Sequence, residues 1–265
     1  MPNKKNILRV LFIADIVGKG GIDITSKFIV ELFKKYDIEL CIANAENAYL
    51  GKGITSSILN RIFRMGINVV TSGNHIWDKP GISSILEKNI YLLRPINYPK
   101  GNPGRGSIVY RVDNRTRVGI INAQGRTFMY PIDCPFRTVM DEVVKIRKET
   151  NLIIIDFHAE ATSEKLALAY YLDGKVSAVI GTHTHIQTAD ERILPDGTAY
   201  ITDVGMTGSY DSILGIKKEI AINRFLYQIP IRYEISNDNL KFNGILLGID
   251  KNTGKAIEIK RLKLP

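Results

Sequence analysis

Five strand-length apolar runs in this chain each deliver, at or just past their C-terminal end, side chains able to bind a metal ion or carry a proton. VLFIAD closes on Asp15, ELCIANAEN on Glu46 and Asn47, INVVTSGNH on Asn74 and His75, LIIIDFH on His158, and VSAVIGTHTH on His183 and His185. The runs are continuous rather than alternating in hydropathy, so their strands must be covered on both faces, and stretches of helical period between them supply the cover. The expected fold class is therefore α/β, with the candidate side chains gathered at the C-terminal edge where open sheets bind ligands.

The pattern predicts strands at 7–14, 38–44, 67–72, 90–93, 117–122, 152–157, 176–181 and 199–203, with helices at 25–36, 56–65, 136–149, 163–172 and 217–227. Within 25–36, Phe28, Leu32 and Phe33 share one face, and 56–65 stops at Gly66, a natural helix end. From 231 onward, IRYEI, GILLGI and AIEIKRLKL flank an Asn252-Thr253-Gly254 turn, which reads as a terminal antiparallel hairpin completing a sheet. RPINYPKGNPGRG, 94–106, reads as a long loop. A length of 265 residues suits one domain over 1–265.

A formal charge of +9 draws anionic partners toward the surface. The basic residues are dispersed, however, with local density only from Lys255 to Lys263, so a solvated basic surface is the plainer reading. Cys41 sits inside an apolar run and Cys134 stands apart; neither belongs to a C-x-x-C pair, which fits a reducing, cytoplasmic setting. Lys4 and Lys5 ahead of ILRVLFIADIV imitate a signal peptide, but Arg9 and Asp15 interrupt the run and no small-residue cleavage site follows. No run reaches the roughly 18 apolar residues of a membrane span.

A lone histidine at a strand end is more often a hydrogen-bonded structural residue than a ligand. All four histidines of the chain occupy such ends, joined by Asp15, Glu46 and Asn74, and that reverses the reading toward a metal site. His183 and His185, two apart in an extended segment, would point the same way and serve neighbouring ions. Oxygen and imidazole donors without thiolate suit Mn, Fe or Zn. Six or seven ligands exceed what one ion needs, so two ions are expected, with Glu46 able to bridge them. A serine hydrolase is excluded by the missing G-x-S-x-G elbow. Gly18-Lys19-Gly20-Gly21 and Gly51-Lys52-Gly53-Ile54-Thr55 imitate phosphate loops but lack the spacing; both read as turns whose glycines bring backbone close to the metals. Lys19, Lys52 and Arg105 are candidate contacts for an anionic substrate. Trp77 reads as a core side chain, with base stacking as the alternative.

The motifs LFIADIVG (11–18), NAENAYLGKGIT (44–55), SGNHIWDK (72–79), LLRPINYP (92–99), INAQGRTF (121–128), DFHAEATSEKLAL (156–168), GTHTHIQTAD (181–190) and AYITDVGMTG (199–208) run through most of the chain. With them the sequence resembles the calcineurin-like metallophosphoesterases, and within these the branch of YmdB-like bacterial phosphodiesterases. Two departures from the wider superfamily, Asp15-Ile16-Val17 for its Asp-x-His start and Ala45-Glu46-Asn47 for its Gly-Asp-x-x-Asp block, are known in that branch. The resemblance implies a four-layer α/β/β/α sandwich with mixed, mostly parallel sheets. It also implies that Asp15, Glu46, Asn47 and His185 hold one ion, and that Glu46, Asn74, His158 and His183 hold the second. His75 is left free of metal, beside the leaving-group oxygen.

The chemistry expected of such a site is phosphodiester hydrolysis. Two Fe or Mn ions, with Zn as an alternative, would supply a bridging hydroxide near neutral pH, and His75 would act as general acid, a role that imidazole's ordinary pKa suits. Asp78 either orients His75 or caps the next turn. The resemblance suggests 2',3'-cyclic nucleotides, with 3',5'-cyclic nucleotides as a further class, and a homo-oligomer. The rival readings are a phosphomonoesterase or phosphoprotein phosphatase on the same metals, and a non-catalytic nucleotide- or RNA-associated regulator.

Overall fold

The computed structural model describes residues 6–265, which leaves Lys4 and Lys5 outside the described residues. In chain order the elements are β1 (Ile7–Ile13), β2 (Asp15–Ile16), α1 (Gly18–Tyr36), β3 (Leu40–Asn44), α2 (Ser56–Arg64), β4 (Val69–Thr71), α3 (Ile82–Lys88), β5 (Ser107–Arg111), β6 (Arg117–Gln124), α4 (Pro135–Ile146), β7 (Ile153–His158), α5 (Thr162–Tyr171), β8 (Ala178–Thr182), β9 (Arg192–Ile193), β10 (Ala199–Ile201), β11 (Met206–Ser209), α6 (Lys218–Tyr227), β12 (Leu240–Asp250) and β13 (Ala256–Leu264).

The strands form two sheets. One runs β2-β11-β12-β1-β3-β4, with β13 also paired to β12; the other runs β5-β6-β7-β8-β10-β9. Both are mixed, with β1-β3-β4 and β6-β7-β8-β10 as parallel centres and antiparallel partners outside them.

Two-residue alternation turns each continuous apolar run into two buried faces. Along β1, Leu8, Val10 and Phe12 pack with Ile154, Ile180 and Ile201 of the other sheet, whereas Leu11 and Ile13 pack against Ile29 and Leu32 of α1 and Ile62 of α2. The second sheet does the same: Ile153, Ile155 and Phe157 meet Val139 and Val143 of α4 and Leu168 of α5. Three apolar layers between helices, sheet, sheet and helices make the four-layer sandwich that the metallophosphoesterase resemblance implies.

The predicted elements are recovered with boundaries within three residues of those expected, apart from α1 and 90–93. Helix α1 begins at Gly18 rather than 25, so Gly18–Gly21 is its first turn and not a phosphate-loop-like turn. The glycines serve packing there: a Cβ on Gly21 would collide with the Thr207 carbonyl of β11. The 90–93 segment forms bridges only, Val70 to Leu92 and Leu93 to Arg105. Strands β2, β5, β9 and β11 and helix α3 are not among the predicted elements; β5 is a half-exposed edge, and β11 is the short run Met-Thr-Gly-Ser. IRYEI is not a strand; Ile235 makes one bridge to Ile216, while GILLGI and AIEIKRLKL form the expected hairpin. The 94–106 loop is organised around the buried Arg94, whose guanidinium donates to the carbonyls of Pro95, Asn102 and Pro103. No helix of the described residues is long and apolar enough to cross a membrane.

Phe12 is fully buried between the sheets. Phe12→Ala should lower stability by about 3–5 kcal/mol, measured by urea denaturation; a loss below about 1 kcal/mol would show that the inter-sheet layer does not hold the sandwich together.

Candidate metal centre

The same alternation that buries hydrocarbon between the sheets carries polar side chains into that layer at the strand C-termini. Asn44 of β3, Thr71 of β4, Asn122 and Gln124 of β6, Asp156 and His158 of β7, and Thr182 of β8 are all fully buried there. They are paired with one another: Asn44 Nδ2 donates to Asp156 Oδ2 at 3.0 Å, and Thr182 Oγ1 donates to Asp156 Oδ1 at 2.7 Å. Thr182 Oγ1 in turn lies 2.9 Å from His158 Nδ1. His158 is thereby oriented through Nδ1, which leaves Nε2 as the atom it presents to the site.

Around that Nε2 stand Glu46 Oε1, Asn74 Oδ1 and His183 Nδ1, each at 3.0 Å. Glu46, His158 and His183 offer ligand atoms within 4.8 Å of one another. Gly73, which sequence reasoning did not single out, makes this approach possible: a Cβ would sit 2.5 Å from Glu46 Oε2 and closer still to the His158 ring. Glu160, also not anticipated, meets His183 Nε2 at 3.1 Å from a half-exposed position.

A second group adjoins the first through Glu46. Asn47 Nδ2 reaches Glu46 Oε1 at 3.3 Å and His185 Nε2 at 3.1 Å, and His185 Nε2 is 3.8 Å from Asp15 Oδ2. The other nitrogen of His185 faces the Leu214 carbonyl at 3.2 Å. Asp15 Oδ2 accepts from the His183 backbone N–H at 3.1 Å, while its buried Oδ1 has no hydrogen-bond partner. His183 and His185 do not lie in an extended segment: β8 ends at Thr182, and their φ angles are 103° and 64°. Strained backbone, rather than strand periodicity, sends one ring to each group.

His75 lies at the edge of this cluster in a short 3-10 turn, Asn74–Asp78. Its backbone N–H donates to Glu46 Oε2 at 2.9 Å and its Nδ1 is 2.9 Å from Asp78 Oδ2, so Asp78 orients the ring. Asp15, Glu46, Asn47, Asn74, His158, His183 and His185 thus form one continuous set of side-chain contacts, and His75 joins it through its backbone N–H. Above them opens a cavity of about 560 Å³ whose wall includes Lys52, Lys79, Arg232 and Tyr233. Of the three cations expected near a substrate only Lys52 is there; Lys19 is paired with Asp23, and Arg105 lines a separate groove with Tyr91 and Tyr110. A larger groove, about 940 Å³, runs past Arg115 and Asn151 and contains none of these side chains. Trp77 packs on the helix-side core and edge-to-face on Tyr98.

The site is electrostatically overloaded with acid. Burial pushes Asp15 well above the usual carboxylate range, and Glu46, Asp203 and Asp156 add to the rise while His158 opposes it. Burial alone would raise Glu46 too, but His158, by charge and hydrogen bond, and then His75 bring it down to about 2. Burial alone would lower His158; Glu46, then Asp15 and Asp156, outweigh it and push this imidazole up to about 9. His183 is lowered to about 3 by burial and by its neighbour His158, and burial lowers His185 as well.

A buried ion pair that sequence reasoning missed supports the histidine turn. Lys165 Nζ on α5 donates to Asp203 Oδ2 at 2.8 Å, and the same oxygen accepts the Thr184 N–H at 2.9 Å, between the two histidines. Gly205 N–H holds the other Asp203 oxygen at 2.8 Å. Lys165 is a positioning residue for His183 and His185.

A model of the family described as YmdB-like protein matches residues 11–262. The chain belongs to the YmdB-like family. Among curated relatives, this YmdB-like chain is 48% identical over 255 residues, 96% of each chain, to the 2',3'-cyclic-nucleotide 2'-phosphodiesterase of Bacillus subtilis (strain 168). Its fold superposes on a crystal structure of a novel phosphatase from Mycoplasma pneumoniae with a TM-score of 0.93, at 34% identity over 98% of this chain and 94% of that one. A crystal structure of a hypothetical protein from Thermus thermophilus gives 0.90, at 37% identity over 97% and 100%.

Lys165→Ala leaves Asp203 buried without its counter-charge. It should cost about 3–5 kcal/mol of stability in urea denaturation, and a loss under about 1 kcal/mol would remove the pair as the support of the 183–185 turn.

Proposed function

We propose that this hydrolase opens 2',3'-cyclic nucleotides at a centre holding two metal ions, with 3',5'-cyclic nucleotides as a further substrate class. The observation that carries the reading is the charge imbalance: Asp15, Glu46, Asp156 and Asp203 are buried together, and Lys165 is the buried ammonium that meets one of them. A buried carboxylate oxygen without a partner, such as Asp15 Oδ1, is costly unless a cation or a proton answers it. The nearby donors are imidazole nitrogens and amide and carboxylate oxygens, a set that fits Fe, Mn or Zn. Asp15, Asn47 and His185 would hold one ion, Asn74, His158 and His183 the other, and Glu46 both. The two contact groups sharing Glu46 support that division. The name of the Bacillus subtilis relative supports the substrate class.

When bound, the metal pair supplies an acidified water and positive charge against the phosphate oxygens. The chain's own residues do the rest. Lys52, Lys79 and Arg232 draw the anionic diester into the cavity. The inter-sheet hydrogen bonds of Asp156, Thr182 and Asn44 hold His158 so that it need not reorganise. His75, steadied through Nδ1 by Asp78, gives a proton from Nε2 to the departing ribose oxygen. The cytoplasm is the compartment in which Cys41 and Cys134, both free thiols, would persist.

Elemental analysis of the purified protein should find two metal ions per chain, and Glu46→Ala should reduce that content to below one. His75→Ala should keep the metals yet lower kcat on 2',3'-cyclic AMP by about 10²–10⁴-fold; unchanged turnover would remove His75 as the acid. Bis-aryl phosphate hydrolysed faster than mono-aryl phosphate is the expected order, and the reverse would make the enzyme a phosphomonoesterase.

A further inference from the structure

The loop that follows β6 presents aromatic side chains to solvent beside the centre. Phe128 is 89% exposed and Tyr130 is 72% exposed, and Phe128 has a φ of 61°. The loop is nonetheless pinned. Glu164 in the first turn of α5 accepts the N–H groups of Arg126 at 3.0 Å and Thr127 at 3.1 Å. The His158 carbonyl accepts the Gly125 N–H at 3.0 Å, and the Asn97 carbonyl accepts that of Asp133 at 3.1 Å. A phenylalanine held in water on fixed, left-handed backbone carries both conformational and hydration cost, and a ligand covering it would offset the second.

What it faces identifies the ligand. Phe128, Met129, Tyr130 and Pro131 share a cavity of about 320 Å³ with Asn74 and His183. On the other side, His183 also lines the cavity that contains Lys52, Arg232 and Tyr233, where Lys52 Nζ lies 5.2 Å from the Tyr233 ring centre. Two lobes with aromatic walls therefore meet at one candidate ligand. A cyclic mononucleotide has one base and fills one lobe. A diester with two nucleoside arms fills both, its phosphate lying at His183.

We propose that the chain also hydrolyses linear ribonucleoside phosphodiesters, one nucleoside lying against Tyr233 and Lys52 and the other stacking on Phe128 and Tyr130. This rests on the phosphodiesterase reading above. The reaction consumes only water: a water oxygen forms the new bond to phosphorus, the bond to one ribose oxygen breaks, and that oxygen takes the proton. From a dinucleotide the products are a nucleoside and a nucleoside monophosphate; from a strand end they are one nucleoside or nucleotide and the shortened strand, with the phosphate on one of the two. The substrate's source is either a free dinucleotide or the end of a single-stranded RNA.

The test uses the metal-loaded full chain with adenylyl-adenosine, a ten-nucleotide single-stranded RNA and 2',3'-cyclic AMP. Turnover of the dinucleotide is expected, and turnover of the RNA would add strand ends as a source. Phe128→Ala should raise KM for the dinucleotide about tenfold or more, the scale of one lost base stack. It should leave 2',3'-cyclic AMP within about twofold, and Phe128→Tyr should restore the dinucleotide KM. Hydrolysis of 2',3'-cyclic AMP without either linear substrate would overturn the proposal and leave the cyclic-nucleotide reading standing. Equal weakening of cyclic and linear substrates by Phe128→Ala would also overturn it, by assigning the loop to the base of the cyclic nucleotide. Failure on every diester would instead sink the phosphodiesterase reading beneath it.

Discussion

Asp15, Glu46, Asp156 and Asp203 are removed from water at one end of the inter-sheet layer, and charge in such a place has to be neutralised. Each is answered differently. Asp203 has Lys165; Asp156 is surrounded by the hydrogen bonds of Asn44 and Thr182; Glu46 draws a proton onto His158; Asp15 keeps one oxygen without a partner. The unsatisfied remainder is the physical basis for reading the site as a cradle for cations. The carboxylates push the His158 imidazole up, whereas burial and the charged His158 ring 4.7 Å away push its neighbour His183 down.

The architecture creates this situation through register. In the second sheet the inward-facing positions change from Ile120 to Asn122 on β6 and from Ile154 to Asp156 on β7 at one level, and on β8 one inward position later, from Ile180 opposite Asp156 to Thr182 opposite His158. The hydrocarbon below keeps water out and fixes the sheets; the polar groups above orient the ligating side chains. Gly73 lets Glu46 and His158 close to contact, and the Lys165–Asp203 pair clamps the turn that carries two histidines.

Backbone strain is concentrated at the same place. Of the non-glycine residues with positive φ, His183 and His185 belong to the centre, Leu50 and Leu214 line the cavity above it, and Phe128 lines the lobe beside it. A rim of apolar side chains in strained conformations around an acidic, cation-seeking floor is suited to a phosphate bearing organic groups.

Much of this was legible before any coordinates. Continuous apolar runs dictated strands covered on both faces, and residues at their ends marked the edge where Asp15, Glu46, His158, His183 and His185 meet. Helix α1 starts earlier than its sequence suggests because Gly18–Gly21 has poor helix propensity, and tertiary packing accounts for the glycines: a Cβ on Gly20 would strike Leu240, and one on Gly21 the Thr207 carbonyl. The 90–93 segment looked like a strand because it is apolar, yet it has bridges rather than a ladder. Asp156 and Thr182 carry no local signal, since a buried polar residue in a strand reads like any interruption of the run, and neither does Lys165, which reads as one more charged residue of a helix, or Gly73, which reads as one more turn glycine. Hydropathy and spacing are properties of neighbours along the chain, so the sequence by itself determined the elements, their two-sided burial and the donor chemistry at their ends. Which donors touch, which ring takes the proton and which aromatic groups flank the centre depend on distances between residues far apart in the chain, and only packing of the two sheets decided those.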